Sequence, residues 1–164
     1  MRFHRAVVDA PFGALTLVAS DLGLRYVMFD HDAHPKPLQG LDIIDGSHPV
    51  LDRACAQVEE YLDGSRRAFD VPLDLVGTEF QVSAWRALAD VPYGRTASYA
   101  QQAASIGRPK ATRAIGAANG RNPVAVVLPC HRIIGADGSL TGFGGGLPVK
   151  TWLLDHEQRV ASAQ

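Results

Sequence analysis

The sequence predicts two domains, an α/β domain at the N-terminus and a mainly α-helical domain at the C-terminus. Short β-type segments separated by turn residues dominate the first half, whereas helical periodicities with capping residues dominate the second half. The 164 residues, of which 46% are hydrophobic and 20% charged, are typical of a globular chain with its own core. We place the boundary near Gly77, which gives domains of residues 1–77 and 78–164.

One helix and several strands are predicted in the first domain. Residues 50–63 place apolar side chains on one helical face, and Gly64 directly after them is a typical helix end. Residues 68–75 are a candidate last strand, whereas residues 30–49 are rich in Asp, His, Pro and Gly and predict a loop. The other strand candidates are flanked by turn residues: 3–10, 15–19 and 24–29.

Helices dominate the second domain. Thr78 and Gln81 form a capping box that opens a helix, and Pro92 limits that helix. Residues 97–106 and 109–120 are two short helices joined by a tight Gly-Arg turn, a pattern typical of a helix-turn-helix. The remaining elements are a buried apolar strand at 124–128, a Gly-rich loop at 142–146 and a final helix at 148–159.

The net charge of −1 conceals two oppositely charged halves. Residues 1–74 carry 7 Lys and Arg against 12 Asp and Glu, whereas residues 75–164 carry 9 against 5. No acidic residue lies between Asp90 and Asp137, and phosphate backbones favour such basic segments because each contact releases counterions. A solvated basic face without a ligand is the alternative. The basic residues of this segment are Arg95, Arg108, Lys110, Arg113, Arg121 and Arg132.

The sequence contains no signal for a membrane or for secretion. No apolar run approaches the ~20 residues that cross a bilayer, and the N-terminus lacks the apolar stretch of a signal peptide. Two cysteines cannot form a disulfide scaffold, which favours a reducing compartment. We therefore expect a cytoplasmic protein that associates with the nucleoid if the source is bacterial.

Cys130 is the most informative residue of the chain. It lies in a Pro-Cys-His-Arg sequence directly after the apolar strand and outside any periodic pattern. A thiol with a pKa of about 8.5 is only slightly ionised at neutral pH, so a nucleophilic cysteine needs a base or a cation nearby. His131 is the candidate base, provided that the chain turns at Cys130 or a water bridges the two side chains. An inert buried thiol is the alternative, and Cys55 fits that description.

Residues 122–135 resemble the active-site segment of the O6-alkylguanine-DNA alkyltransferases, also called methylated-DNA–protein-cysteine methyltransferases. The segment reads Asn-Pro-Val-Ala-Val-Val-Leu-Pro-Cys-His-Arg-Ile-Ile-Gly. The similarity covers nearly all of residues 78–159 in the same order, whereas residues 1–77 resemble the family's N-terminal domain only loosely. The further matches are Val-Pro-Tyr-Gly at 91–94, Ser-Tyr at 98–99, Thr-Gly-Phe-Gly-Gly-Gly at 141–146 and Trp-Leu-Leu-Asp-His-Glu at 152–157.

The resemblance implies a ribonuclease-H-like N-terminal domain and a winged helix-turn-helix-like C-terminal domain. It also implies direct reversal of DNA damage, in which the protein flips out O6-alkylguanine, or less efficiently O4-alkylthymine, and transfers the alkyl group to Cys130. The product thioether offers water no electrophilic carbonyl, so the protein acts once and irreversibly. The expected partner is double-stranded DNA with alkylated bases, and the protein is expected to be a monomer without a cofactor.

The resemblance gives catalytic roles to five residues. Cys130 attacks the alkyl carbon, His131 takes the thiol proton through a water, and Glu157 orients and stabilises the imidazolium. Tyr99 donates a hydrogen bond or proton to N3 of guanine. Asn122 ties the turn between the second helix of the pair and the Cys130 strand. Without the resemblance, the sequence alone predicts an exposed carboxylate at Glu157 and a half-buried aromatic residue at Tyr99.

Further residues are assigned to DNA and to the flipped base. Arg113 enters the base stack and fills the space of the extruded base, or else contacts a phosphate. Ala114 and Ala117 allow the helix to approach the minor groove closely. Phe143 stands where many relatives carry Tyr, which leaves the range of alkyl groups open. The other candidates are Arg132, Gly144 and Gly145, the glycines because they let the backbone lie against the base.

Metal binding and three other functions are the alternatives for the same residues. His31, His34 and His48 with Cys55 match no standard zinc spacing, so no metal is expected, although some family members hold zinc in this domain. A lesion-binding protein that only flags damage lacks the cysteine of the motif, so Cys130 argues against that function. A DNA-binding regulator whose cysteine senses oxidants or alkylators would react with free reagent rather than a DNA lesion. A cysteine hydrolase is disfavoured because no oxyanion-hole motif is visible.

Overall fold

A computed structural model describes residues 1–163 and places a four-stranded sheet in the first part of the chain. The central strands form antiparallel pairs, from His4 opposite Ala19 to Ala10 opposite Gly13 in the first hairpin. The last strand is parallel to the first and lies at the sheet edge. In chain order the strands are β1 (Arg2–Ala10), β2 (Gly13–Ala19), β3 (Leu24–Phe29) and β4 (Asp42–Asp45), and their spatial order is β3-β2-β1-β4.

Helix α1 (Pro49–Asp63) packs on this sheet and completes the first part of the core. His48 caps its N-terminus, and Gly64 ends it with a left-handed backbone (φ 89°), as the sequence predicted. Because the apolar face of the helix meets the inward side chains of β2 and β3, both are buried together. The fully buried residues of this layer include Leu15, Leu17, Val27, Leu51 and Val58.

Two predictions for the first domain are wrong. Residues 68–75 form no strand but only an isolated bridge to Leu24, made by the bonds from Leu24 N to Pro72 O (2.8 Å) and from Asp74 N to Leu24 O (2.9 Å). Within the predicted loop at 30–49, the structure contains β4. That strand has only four residues and three of them are exposed, so neither length nor alternation of hydrophobic residues marks it.

The second part is built from helices, with two short strands between them. Capping boxes open the first two helices at Thr78 and Ser98, where the side chain of the residue three positions later closes each box. The elements are α2 (Glu79–Ala87), a short 3-10 helix (Leu88–Asp90), β5 (Ala97–Ser98), α3 (Tyr99–Ser105), α4 (Thr112–Gly120), β6 (Ile133–Ile134) and α5 (Leu147–Ser162). Strands β5 and β6 form a separate parallel pair.

The helix pair begins later in the chain than the sequence predicted. Residues 97–98 are taken by β5, so α3 begins at Tyr99. The second helix begins at Thr112 rather than at Pro109, because the chain first makes a turn in which Ala111 N donates to Arg108 O (2.9 Å). Local turn hydrogen bonds therefore replace the expected first turn of that helix.

Residues 124–128 are buried as predicted, but they form a tight turn and not a strand. Leu128 N donates to Val124 O (2.9 Å), and Val126 adopts a left-handed backbone (φ 73°) that β-branched residues rarely adopt. The segment is attached to the sheet, because Val27 N donates to Pro123 O (2.8 Å). The two parts of the chain thus share one hydrophobic core.

Gly77, near the predicted boundary, leaves no room for a side chain. An added Cβ would lie 2.7 Å from Cη2 of Trp85, which is buried and donates from Nε1 to Ala118 O (2.7 Å). We expect Gly77→Ala to lower the free energy of unfolding by about 1–3 kcal/mol through overpacking, measured by urea denaturation. Gly142→Ala is the control, because a Cβ there meets no atom within 4 Å. If Gly77→Ala and Gly142→Ala lowered the free energy of unfolding equally, overpacking against Trp85 would not be the cause.

Candidate active site

Cys130 begins a 3-10 helix (Cys130–Arg132) directly after the buried turn. The backbone therefore turns at the cysteine, which was one of the two conditions for pairing it with His131. Cys130 is 6% exposed, and its N–H donates to Leu128 O (2.9 Å). Its side chain faces a small cavity whose walls come from both parts of the chain. These walls include Phe29, Asp32, Lys36, Asn119, Asn122, Ala125, Phe143 and Gly144.

His131 is fully buried and forms a hydrogen bond with the Glu157 carboxylate of α5, with 2.7 Å between Nε2 and Oε2. Because Glu157 is ionised, Nε2 carries the proton and Nδ1 carries the lone pair. Within residues 1–163, Nδ1 is buried without a hydrogen-bond partner. This geometry leaves one nitrogen of a neutral imidazole available as a base.

The Glu157 carboxylate is buried among donors from three segments. Tyr61 of α1 donates its hydroxyl to Oε2 (2.7 Å), and the Gly94 N–H donates to Oε1 (3.3 Å). The Arg132 guanidinium donates from Nε to Oε1 (2.8 Å) and from Nη2 to Oε2 (3.1 Å). With the contact from His131, both oxygens are saturated, so the alternative interpretation of Glu157 as an exposed carboxylate is wrong.

Arg132 requires a correction to the predicted DNA contacts. Its guanidinium is only 7% exposed, and it also donates from Nη1 to Val91 O (2.7 Å). The guanidinium therefore donates its hydrogen bonds to Glu157 and to the backbone. In this structure its role is structural, and it is not placed to contact DNA. The positive charge of Arg132 neutralises the buried Glu157 carboxylate and does not contribute to a basic surface.

The burial of the site shifts the pKa of each titrating group. Burial raises the pKa of the Cys130 thiol, and the Asn122 amide and two lysines act in the opposite direction. Burial lowers the pKa of His131 against the opposing effect of Glu157, so the imidazole is neutral at pH 7. Burial also acts to raise the pKa of Glu157, but hydrogen bonds from His131 and Arg132 overcome it and lower the pKa to about 2.

Asn122 lies between α4 and the cysteine, where the sequence placed it. Its Nδ2 donates to Leu128 O (2.7 Å), and its Oδ1 accepts from Val124 N (3.1 Å). These bonds close the turn that contains the strained Val126 and precedes Cys130. The buried amide thus fixes the backbone on which the cysteine is mounted.

Tyr99 and Arg113 line a groove beside the cavity, together with the Gly-rich loop. Tyr99 is half-buried at the start of α3, and its hydroxyl forms a hydrogen bond with Thr141 Oγ1 (2.8 Å). On α4, Arg113, Ala114 and Ala117 are exposed. The small side chains and the arginine therefore share the accessible side of one helix.

The remaining predicted base-contacting residues lie in the Gly-rich loop. Phe143 forms an edge-to-face pair with Phe29 of β3, with ring centroids 5.4 Å apart. Gly145 leaves no room for a side chain, because an added Cβ would lie 2.8 Å from the Phe29 ring. Gly144 O accepts a hydrogen bond from Ala33 N (2.8 Å), which joins the loop to the first domain.

Several residues of this site carry no motif that sequence reasoning could have used. Tyr61 belongs to the apolar face of a helix, and Phe29 to a buried strand. Asp32 and Lys36 lie in the loop between β3 and β4. Only their charge and the loop's length could have drawn attention to them, because their distance in sequence from Cys130 hides the contact.

Two further observations concern metals and membranes. Within residues 1–163, no group of three or more His, Cys, Asp or Glu side chains is placed to hold a metal ion. His48 instead caps α1 and forms a hydrogen bond with Asp21, with 2.9 Å between Nε2 and Oδ1. In the same part of the chain, no helix has the length and apolar character needed to span a bilayer.

Family models match both parts of the chain. The model described as "6-O-methylguanine DNA methyltransferase, ribonuclease-like domain" matches residues 3–75, and the one described as "6-O-methylguanine DNA methyltransferase, DNA binding domain" matches residues 79–159. The chain belongs to this methyltransferase family. Its sheet-containing part is the ribonuclease-like domain, and its helical part is the DNA-binding domain.

Similar proteins cover nearly the whole chain. The methylated-DNA–protein-cysteine methyltransferase of Methanosarcina acetivorans is 43% identical over 154 residues, which are 94% of this chain and 97% of that protein. The protein of the same name from Mycolicibacterium paratuberculosis is 45% identical over 157 residues, which are 95% and 93% of the two chains. The crystal structure of Mycobacterium tuberculosis OGT in complex with DNA matches with a TM-score of 0.87 at 39% identity, covering 98% of this chain and 94% of that chain.

The low pKa of Glu157 predicts a pH dependence of stability. Protonation of this carboxylate is harder in the folded state, where its pKa is about 2, than in the unfolded chain, where it is about 4.5. The stabilisation is therefore present above pH 4.5 and is lost as the pH falls towards 2, a change of about 3 kcal/mol. In urea denaturation, the stability difference between the wild type and Glu157→Gln should narrow over this range.

Asp155→Asn is the matched control for that measurement. Asp155 lies two residues earlier on the same helix and is exposed. Its substitution should leave the pH dependence of unfolding close to that of the wild type. A constant stability difference between wild type and Glu157→Gln at all pH values would contradict the proposed ionised state of the buried carboxylate.

Proposed function

We propose that this protein repairs DNA by transferring the alkyl group of O6-alkylguanine in duplex DNA irreversibly to Cys130. The observation that carries the proposal is the buried arrangement of Cys130, His131 and Glu157 beside a groove and an exposed helix face. Membership of the methyltransferase family supports the same reaction. The relatives from Methanosarcina and Mycolicibacterium are named for this transfer to a protein cysteine.

The transfer begins with removal of the thiol proton. Burial keeps the Cys130 thiol protonated, so a base must act at the moment of reaction. His131 Nδ1 takes the proton through a water, and Glu157 stabilises the resulting imidazolium through Nε2. A bond then forms between Sγ and the alkyl carbon while the bond from that carbon to O6 breaks. The electron pair of the broken bond stays on the guanine.

Tyr99 acts on the leaving base in this proposal. Its hydroxyl lies at the wall of the groove, where Thr141 Oγ1 positions it. A hydrogen bond or proton delivered to N3 neutralises the charge that develops on guanine, which makes the base a better leaving group. The product is a thioether, and water does not attack its alkyl carbon to release the Cys130 thiolate. Each molecule therefore acts once, without a cofactor.

The helical domain presents a winged helix-turn-helix-like surface to DNA. The helix α4 lies in the minor groove, and Ala114 and Ala117 allow close approach because they project only a methyl group. Arg113 replaces the flipped base in the stack. The flanking arginines and lysine supply phosphate contacts that do not depend on sequence. The exposed basic residues of this segment are Arg95, Arg108, Lys110, Arg113 and Arg121.

The flipped base is bound by the Gly-rich loop. Gly144 and Gly145 let the backbone lie against the base, and Phe143 contributes an apolar wall beside the alkyl group. The proposal extends to O4-alkylthymine, which the resemblance to the family implies reacts less efficiently. We place the domains at residues 1–77 and 78–164, and we propose a monomer that works in the cytoplasm, at the nucleoid of a bacterium.

The first test is the mass of the intact protein after mixing with equimolar duplex that carries one O6-methylguanine. A gain of one CH2 unit that peptide mapping assigns to Cys130 is expected, because the thioether is stable. Cys130→Ser should gain nothing, whereas Cys55→Ser should gain as the wild type does. Cys55 is half-buried on α1, and burial and nearby acids raise its pKa to about 11, so it is a poor nucleophile.

The same experiment separates the alternative functions. Selective binding of the lesion without a mass gain would establish a protein that only flags damage. Modification by free alkylating reagent but not by the duplex would establish an alkylation sensor. Either result would overturn the proposed transfer.

A second test concerns Arg113. We expect Arg113→Ala to slow transfer from duplex by about tenfold or more, because unpairing and unstacking the base costs a few kcal/mol. Transfer from a single-stranded oligonucleotide should change less, since no duplex partner must be replaced. Lys110→Ala is the comparison variant: it should weaken binding of all sequences and lower the salt slope by about one. If Arg113→Ala altered affinity alone, as Lys110→Ala does, the arginine would be a phosphate contact.

A further inference from the structure

Lys36 reaches the active site from the other domain. It lies in the loop between β3 and β4, and its side chain is only 7% exposed. Within residues 1–163, one carboxylate lies within 4 Å of its ammonium group, Asp32 Oδ2 at 3.7 Å, which is beyond hydrogen-bond distance. A largely buried ammonium group with one loose ion pair is expensive to keep charged.

Lys36 and Cys130 both line the same small cavity. Phe29 and Phe143 form apolar walls there, so charges interact more strongly than they do in water. Burial lowers the pKa of Lys36, while Asp32 and Cys130 act to raise it. Cys130 is thus an electrostatic partner of Lys36, and the effect is reciprocal because Lys36 lowers the pKa of the thiol.

The position of Lys36 is fixed by contacts of its own loop. Ala33 N donates to Gly144 O (2.8 Å), which attaches the loop to the Gly-rich segment beside the cysteine. Asp32 Oδ1 accepts from His34 N (3.0 Å) and closes a local turn. These bonds hold the lysine over the site without using its ammonium group.

Lys150 is a second lysine near Cys130, and it lowers the pKa of the thiol more than Lys36 does, but its ammonium group also holds two carbonyl oxygens. It donates to Ile133 O (2.6 Å) and to Thr141 O (3.1 Å), and the residue is 1% exposed. These bonds join α5 to β6 and to the segment that carries Thr141. Lys150 therefore has a structural task, whereas none of the side-chain hydrogen bonds within residues 1–163 involves the Lys36 ammonium group.

We propose that Lys36 is a positioning residue of the alkyl transfer, whose ammonium group is the counter-ion of the Cys130 thiolate from across the domain boundary. This inference rests on the proposed function. When the proton leaves the thiol for His131, a negative charge forms in an apolar cavity, and Lys36 stabilises it there. When the bond between sulfur and carbon forms, that charge passes to the guanine and the thioether is neutral.

The size of the expected effect follows from two opposing factors. A cation that lowers the thiol pKa by about one raises the thiolate fraction about tenfold at a pH below that pKa. Nucleophilicity falls with basicity with a slope of about 0.5, which removes roughly a factor of three. If the thiol pKa rises by about one when Lys36 is removed, transfer at neutral pH should therefore slow about threefold. At alkaline pH, where the thiol is ionised in both proteins, only the nucleophilicity differs, so the deficit should reverse to an advantage of about threefold for the variant.

The test is the pH profile of the single-turnover rate constant at saturating duplex with one O6-methylguanine. We expect Lys36→Met to move the midpoint of this profile upward by about one pH unit, and Lys36→Arg to retain the wild-type midpoint because it keeps the charge. Asp32→Asn keeps an acceptor for His34 N and removes the competing anion, so its midpoint should move downward. Arg2→Met is the matched control, since Arg2 is an exposed cation of the same domain.

The other titratable and charged groups around this pair remain unchanged in these variants. They are His131 beside the thiol, Lys150 of α5, and Arg121 at the end of α4, which acts on Lys36. Circular dichroism melting of each variant separates a loss of folding from a loss of charge. Three results together would support the proposal: an upward change of the midpoint in Lys36→Met, a wild-type midpoint in Lys36→Arg, and a downward change in Asp32→Asn.

Two outcomes would overturn it. A lower rate for Lys36→Met at every pH with an unchanged midpoint would make Lys36 a structural residue. Identical profiles for Lys36→Met and Arg2→Met would remove any role in the reaction.

A different result concerns the proposed function itself, which fails if the wild type accepts no methyl group from the duplex. The pH profile of carbamidomethylation of Cys130 by iodoacetamide then tests the ion pair alone, with the same change of midpoint supporting it and an unchanged midpoint refuting it.

Discussion

The buried carboxylate of Glu157 is the interaction on which the rest of the site depends. Removing a carboxylate from water is costly, and here hydrogen bonds from Tyr61, Gly94, His131 and Arg132 offset that cost. The donors come from α1, from the loop at Gly94 and from the cysteine segment, so the carboxylate also fixes how these three segments meet α5. The same contacts determine which nitrogen of His131 is free, and thus which atom can act as a base.

A second constraint is the backbone that carries the cysteine. The turn before Cys130 places Val126 in a conformation that costs of order 1–3 kcal/mol, and such strain persists only where surrounding structure over-determines it. Asn122 and the sheet edge at Val27 provide that structure through hydrogen bonds to both ends of the turn. The turn brings Cys130 and His131 onto one 3-10 helix, an arrangement that a continuing strand would not allow.

Local signals predicted the elements of this fold well, and long-range contacts explain the failures. The capping box at Thr78 and the glycine end of α1 depend on residues three or four apart, and the structure contains both. The strand β4 and the late start of α4 depend on pairing and turn hydrogen bonds that leave no periodic pattern. The burial of Arg132 was missed because a basic residue in a basic segment is indistinguishable, in sequence, from its exposed neighbours.

The site itself shows the same division between local and distant information. Motif residues such as Cys130 and His131 adjoin in sequence, whereas Tyr61 and Lys36 meet them only through the fold. The predicted domain boundary near Gly77 therefore does not separate a functional domain from a dispensable one. The first domain supplies a hydrogen bond to the carboxylate, an aromatic wall and a cation to an otherwise complete motif of the second. A DNA-binding domain alone would lose these groups, including the Tyr61 hydroxyl that donates to Glu157, the carboxylate that orients its histidine.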